Sequence, residues 1–243
     1  MITLFHFGPI WGVDDPSPFC LKVITYMRLA EIPFESRTGV RHLRAAPKGK
    51  LPYIDDDGEI VGDSIFIIEH LKRKYGDRLA PDCSTQDHGA LRAICRMLDE
   101  DVYWAGVYFR WIDDENWEHL TRPAFFATLP WPLNVIVPAR ARKDVRRTLY
   151  RQGLGRHTRE EIEALHETNL QAVSEFLGEK AFIAGNAPSE PDATLYAFLE
   201  NLSTPPHATP LKTFLETRTN LMDYVGRMRR RLAGAGGSDA AGR

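Results

Sequence analysis

The sequence predicts an α+β fold in two parts: a small mixed sheet with its helices over residues 1–77, and an all-helical part over residues 84–232. Three observations carry this. Stretches rich in β-formers and stretches with helical periodicity alternate at first, in the order β-α-β and then β-β-α. A turn-rich segment, GDRLAPDCS, then marks a linker at residues 78–83. Everything after it reads as helix, apolar residues recurring at three- and four-residue spacing.

Ile2 to Phe7 reads as the first strand, and Gly8-Pro9 ends it. A loop, IWGVDDPS, leads to Ser17-Pro18, a residue suited to the N-cap and a proline suited to the first helical position. The helix that follows has a broad apolar face built from Phe19, Cys20, Val23, Ile24, Tyr26, Met27 and Ala30. Phe34 to Arg37 reads as a second strand. The stretch GKLPYIDDDGEIVGDS, 49–64, then predicts a strand entered through Leu51-Pro52, an Asp/Gly turn at 55–58, and a short strand at 59–61. It ends on a polar pair, Asp63-Ser64, opening a helix to Tyr75. Pro52 lacks an N–H where a strand begins, so it either blocks a sheet edge or adopts the cis form and exposes its neighbours' backbone groups. The order is a thioredoxin-like layout.

In the second part, Leu91, Ile94, Cys95, Leu98, Val102 and Phe109 predict a long helix from Ser84 to about Asp113. Thr158 with Glu161 forms a capping box, as does Ser189 with Asp192, and Gly178 stops the helix between them. Thr209-Pro210 and Thr219-Asn220 open two more helices, the last closing in the basic run 227–231. A proline-punctuated, aromatic-rich stretch near 115–155 reads as an insertion: a lid, an enlarged substrate site, or packing. Residues 233–243 are small and polar and read as a disordered tail.

Composition excludes several classes. A net charge of −2 over 243 residues gives no general pull toward nucleic acid or membrane. The three cysteines, Cys20, Cys83 and Cys95, form no CxxC and no disulfide framework, which suits a reducing cytoplasm. The longest weakly charged run, 124–139, is broken by prolines, so no membrane span is expected. The histidines show no metal-ligand spacing, and no metal is expected.

Ser17-Pro18-Phe19-Cys20, GKLPYI at 49–54, Asp63-Ser64, GLGRH at 153–157, the Ser189–Asp192 box and the closing NLMDYVGRMRRR together resemble the glutathione S-transferase superfamily. Within it they resemble the metaxin-like branch that includes the failed-axon-connections proteins. The resemblance implies glutathione as cosubstrate, a small hydrophobic electrophile and a homodimer. It assigns the backbone of Leu51 beside a cis Pro52 to the cysteinyl portion, and Asp63 with Ser64 to the γ-glutamyl ammonium and carboxylate. Asp63 stands where the superfamily more often has Glu, one methylene longer. Arg37, Arg41 and Lys50 are candidates for the glycyl carboxylate, with no spacing to choose among them.

Ser17 stands where cysteine-type relatives place a reactive thiol. A hydroxyl there cannot attack a disulfide, but it can donate to a glutathione thiolate while the helix N-terminus adds partial positive charge. The alternative nucleophile is Cys20, which would make the protein a thiol-disulfide reductase. A third reading is a non-catalytic, metaxin-like binding protein. Trp11, Tyr103, Trp104, Tyr108 and Trp111 are the candidates for an electrophile pocket.

Overall fold

The computed structural model describes residues 1–235. Its first part comprises β1 (Ile2–His6), α1 (Pro18–Leu29), β2 (Phe34–Thr38), β3 (Tyr53–Asp56), β4 (Glu59–Gly62) and α2 (Ser64–Tyr75). Strand order is β2-β1-β3-β4, with β1 parallel to β2 and antiparallel to β3. The parallel pair needs a crossover, and α1 supplies it. The central strands bury Ile2, Leu4 and Ile54, whereas β2, FESRT, is a largely exposed edge guarded by its charges. This is the thioredoxin-like arrangement read from the sequence.

The second part is helical: α3 (Thr85–Met97), α4 (Tyr103–Trp111), α5 (Asp114–Asn116), α6 (Arg122–Phe126), α7 (Leu133–Gln152), α8 (Arg159–Leu177), α9 (Glu190–Ser203), α10 (Pro210–Glu216) and α11 (Thr219–Ala235). The helix expected over 84–113 is interrupted by a π-helical turn at Leu98–Val102, which shifts the register between α3 and α4. The stretch expected as an insertion is helical as well. Its α7 runs through Pro138, which sits buried early in the helix and deletes a single backbone donor. Helix α11 continues through residues expected in the tail, Ala233 to Ala235; the remainder of that tail lies outside the described residues.

Helix α1 is the wall shared by both parts. One side packs with the sheet and α2 through Val23, Ile24 and Met27, and the other meets α9, which is buried along nearly its whole length. A helix apolar on both sides is what such a position requires. The polar exception is Lys22, whose Nζ lies 3.1 Å from Asp99 Oδ2 in the π turn, with both side chains nearly inaccessible to water. The linker is tied down too: Arg78 donates to Ala30 O at 2.9 Å, and Glu190 N donates to Leu79 O at 2.8 Å.

Candidate active site

Ser17 caps α1. Its Oγ accepts from Cys20 N at 3.4 Å, and the hydroxyl also reaches the Cys20 sulfur, so donation to a ligand means turning away from that thiol. Ser17 is half-buried, at the helix end where unpaired N–H groups create positive potential.

The loop carrying Ser17 is held by Asp15, a fully buried carboxylate. Asp15 Oδ1 accepts from Ser17 N at 2.8 Å, while Oδ2 accepts from Gly8 N at 3.0 Å and lies 2.9 Å from His6 Nδ1. The helical part reaches the same loop. Asn201 Nδ2 donates to Asp15 O at 3.1 Å, and Arg110 donates to Pro16 O at 2.6 Å while a second nitrogen holds Asn201. Burial lowers Arg110 to about 10, with Tyr103 and Asp15 favouring its charged form.

Cys20 points inward and is fully inaccessible to water. Burial pushes its thiol well above the usual range, and the Asp15 charge pushes the same way, outweighing the hydrogen bond from Ser17. A thiol in that setting is neither exposed nor ionised, the two conditions for disulfide exchange. Cys95 is also shifted up, to about 12, by burial.

Leu51-Pro52 is cis, and both residues are buried. Pro52 O accepts from Asp63 N at 3.3 Å, which ties the proline turn to the start of α2. Among the described residues the amide and carbonyl of Leu51 make no backbone hydrogen bond outside the helices and strands. Asp63 has a left-handed φ of 85°, and its Oδ1 accepts from Ile65 N at 3.1 Å, leaving Oδ2 without a partner among the described residues. Ser64 follows with its hydroxyl likewise unpaired. An unpaired backbone edge, a carboxylate oxygen and a hydroxyl thus sit on adjoining turns. Arg37, Arg41 and Lys50 are all exposed, and Arg37 lies 3.9 Å from Glu35.

The aromatic candidates separate into groups. Trp11, on the β1–α1 loop with a φ of 54°, packs edge-on against Phe125 of α6 at 5.6 Å and against His207 at 4.5 Å. Phe125 in turn lies parallel to Trp111 at 6.0 Å. Tyr103 meets Phe19 on the first turn of α1 at 4.8 Å, with Trp104 behind it at 5.0 Å. Tyr108 turns instead toward Phe109 and the Arg159 side. His207 is buried beneath Trp11 with Nε2 3.2 Å from Thr121 Oγ1. Burial lowers it to about 3, and Arg110 and Lys212 add to the effect, so it is neutral at physiological pH. An open groove of about 730 Å³ lies on the other side of His207, between α8 and α10, lined also by Arg159, Glu163, Lys212 and Phe214.

Comparison with known proteins bears on this arrangement. Residues 18–116 match the family model of the glutathione S-transferase N-terminal domain, and residues 166–228 match that of the glutathione S-transferase C-terminal domain. An isoprene-epoxide–glutathione S-transferase of Rhodococcus sp. (strain AD45) is 36% identical over 95% of this chain and 98% of its own. The chain belongs to the glutathione S-transferase family. It is also 29% identical to failed axon connections of Drosophila melanogaster over 94% of this chain but only 57% of that one. To metaxin-3 of Xenopus laevis it is 28% identical, over 92% and 74%. Among solved structures, a glutathione S-transferase from Rhodospirillum rubrum F11 shares the fold with a TM-score of 0.61 at 16% identity, covering 99% of this chain and 94% of that one. One from Ceriporiopsis subvermispora in complex with glutathione gives 0.58 at 17%, covering 99% and 98%.

Sequence reasoning singled out Ser17, Leu51, Pro52, Asp63 and Ser64, and in this family member they surround the N-termini of α1 and α2. It passed over Asp15, Arg110 and Asn201, and weighed His207 only as a metal ligand. Asp15 carried one usable signal, an acid two residues before an N-cap. Arg110 and Asn201 carried none, because their partners lie 91 or more residues away in the chain.

Proposed function

We propose that this chain is a glutathione transferase that activates the glutathione thiol at Ser17 and directs it onto a small apolar electrophile. Ser17 supports this most directly: it is a half-exposed N-cap residue at the start of α1, whose hydroxyl can turn from Cys20 to a ligand, beside a Cys20 sealed away from solvent. Glutathione fits the groups present. The Leu51 backbone would pair with the cysteinyl peptide unit, and Asp63 Oδ2 and Ser64 Oγ would take the γ-glutamyl end. Lys50, exposed at the entrance to this turn, is the candidate for the glycyl carboxylate.

In the conjugation step the thiol proton leaves to water, and the sulfur stays anionic because the Ser17 hydroxyl and the α1 N-terminus stabilise it. The sulfur lone pair then attacks an electrophilic carbon. With an epoxide, the class named for the Rhodococcus relative, the C–S bond forms as a ring C–O bond breaks, and the alkoxide takes a proton from water. Phe19, Tyr103, Trp11 and Phe125 supply apolar surface near the α1 N-terminus, which suits a small hydrophobic partner.

Two experiments decide the reading. Calorimetric titration of the purified protein should show glutathione binding, and turnover with a small epoxide should fall on Ser17→Ala. A protein that neither binds glutathione nor turns over epoxides supports the metaxin-like binding reading, which the 28% and 29% identical relatives favour. Activity that survives Ser17→Ala but disappears on Cys20→Ala supports the reductase. We further propose a cytoplasmic homodimer, for which Ile60 and Phe66 offer exposed apolar surface on the first part of the chain.

A further inference from the structure

Helix α7 presents a face that the conjugation site does not use. Trp131, just before the helix, is 82% exposed; Leu133, Val135 and Ile136 in its first turn are about half exposed, and Val137 is at the edge of exposure. Scattered exposed apolar residues are ordinary, but five within seven positions make a patch. Leu133, Ile136 and Val137 fall on one stripe by helical spacing, and the stripe continues as Arg140, Lys143, Arg147 and Arg151, opposite the buried Pro138 and Leu149.

The charge along this helix is strongly segregated. Residues 131–152 hold six basic side chains and one acid, Asp144, in a chain whose net charge is −2. Arg142 is committed inward, donating to Trp111 O, Ile112 O and Asp114. The other five, Arg140, Lys143, Arg146, Arg147 and Arg151, are exposed and take no ion pair or hydrogen bond among the described residues.

We propose that this face of α7 is a docking surface for an anionic phospholipid bilayer. A tryptophan and branched aliphatics at one end, with a run of unpaired cations beside them, match the two layers of a lipid interface: acyl boundary and anionic headgroups. A second copy meeting the same face across a two-fold axis would bring unpaired cations together, which disfavours a dimer through α7, and the homodimer proposed above is assigned to Ile60 and Phe66 instead. The helix lies on the bilayer and does not cross it, and among the described residues no helix is long and apolar enough to span one. The whole-chain charge gives no hint of this surface, because acids elsewhere cancel it in the sum.

The test is flotation of the full chain with vesicles of equal parts phosphatidylcholine and phosphatidylglycerol, against vesicles of phosphatidylcholine alone. Binding is expected to the anionic vesicles and to weaken as salt is raised. Charge reversal at Arg140, Lys143 and Arg147 together should weaken it on the order of 100-fold. Ile136→Glu and Trp131→Ala should weaken it separately, with thermal unfolding unchanged because these side chains are exposed. Glutathione turnover in the absence of vesicles should be unaffected, which separates this inference from the proposed activity. Equal binding to neutral vesicles, no binding to anionic ones, or binding that survives both the apolar and the charge variants overturns the proposal. So does a solution mass that halves on Ile136→Glu in a protein that ignores vesicles, an outcome that assigns the face to a second copy.

Discussion

At the scale of single residues the chain separates two groups that look equally reactive in the sequence. Ser17 and Cys20 lie one helical turn apart, yet Ser17 is partly exposed at the helix start and the thiol is walled in beside the buried Asp15. Ser17→Ala removes a donor to a charged acceptor, a loss of about 1.5–3 kcal/mol, and so lowers turnover at neutral pH by about 10- to 150-fold. The α1 N-terminus remains, so the rate should recover as pH rises through the thiol's own pKa; pH–rate profiles of the two proteins read this directly. Cys20→Ala should leave turnover within about threefold.

Asp56 governs acid stability at the same scale. Burial disfavours its charge, but hydrogen bonds from Lys74, His70 and Tyr75 outweigh burial and lower it to about 2. A carboxyl depressed in the folded state contributes stability above its unfolded value, about 3.9, and the contribution is lost as pH falls toward 2. Denaturant titrations should lose of order 2 kcal/mol across that window, and Asp56→Asn should abolish that pH-dependent part.

At the scale of elements, the helix starts are where local chemistry decided the outcome. Thr158 Oγ1 accepts from Glu161 N at 3.2 Å, and Glu161 returns the bond to Thr158 N at 2.8 Å. Thr158→Ala should cost about 1 kcal/mol and lower the melting temperature by about 2–4 °C, measurable by calorimetry. The second box has grown into the core. Asp192 accepts from Ser189 and from Ile183 N, and Tyr224 reaches it from α11 at 2.9 Å, so a local cap also joins three segments. The insertion divides by burial. Asn116 bridges Phe109 O and Ala208 O, which makes its start a packing element, while Phe125 meets Trp11 beside the candidate site.

At the scale of the molecule, the two parts are joined by polar bonds set among apolar walls. Lys22 and Asp99 form a buried pair, and removing Lys22 leaves Asp99 only the more distant Arg96 at 3.8 Å, so Lys22→Met should destabilise the protein by about 3 kcal/mol. Lys22→Met with Asp99→Leu should recover most of that loss in denaturant unfolding. The proposed homodimer predicts a solution mass twice 27.6 kDa at micromolar concentration, measurable by sedimentation.

The sequence by itself determined what depends on near neighbours: strand and helix order, the cis-capable Pro52, the caps at Ser17, Asp63, Thr158 and Ser189, and with them the family. Caps and turns are chosen by side chains three or four residues away, so a linear reading reaches them. Only the tertiary structure decided the rest. Cys20 looked like a rival nucleophile until its burial was known, because desolvation depends on what packs around the thiol. Asp15, Arg110 and Asn201 became one support for the Ser17 loop only when α9 and α4 were folded against α1. The prolines at 130, 132 and 138 marked the stretch only as an insertion and did not give the bounds of α7, a helix stabilised by packing of Pro138 and Leu149 rather than by propensity. Its outward face showed its concentration of charge only once the helix placed those side chains on one side.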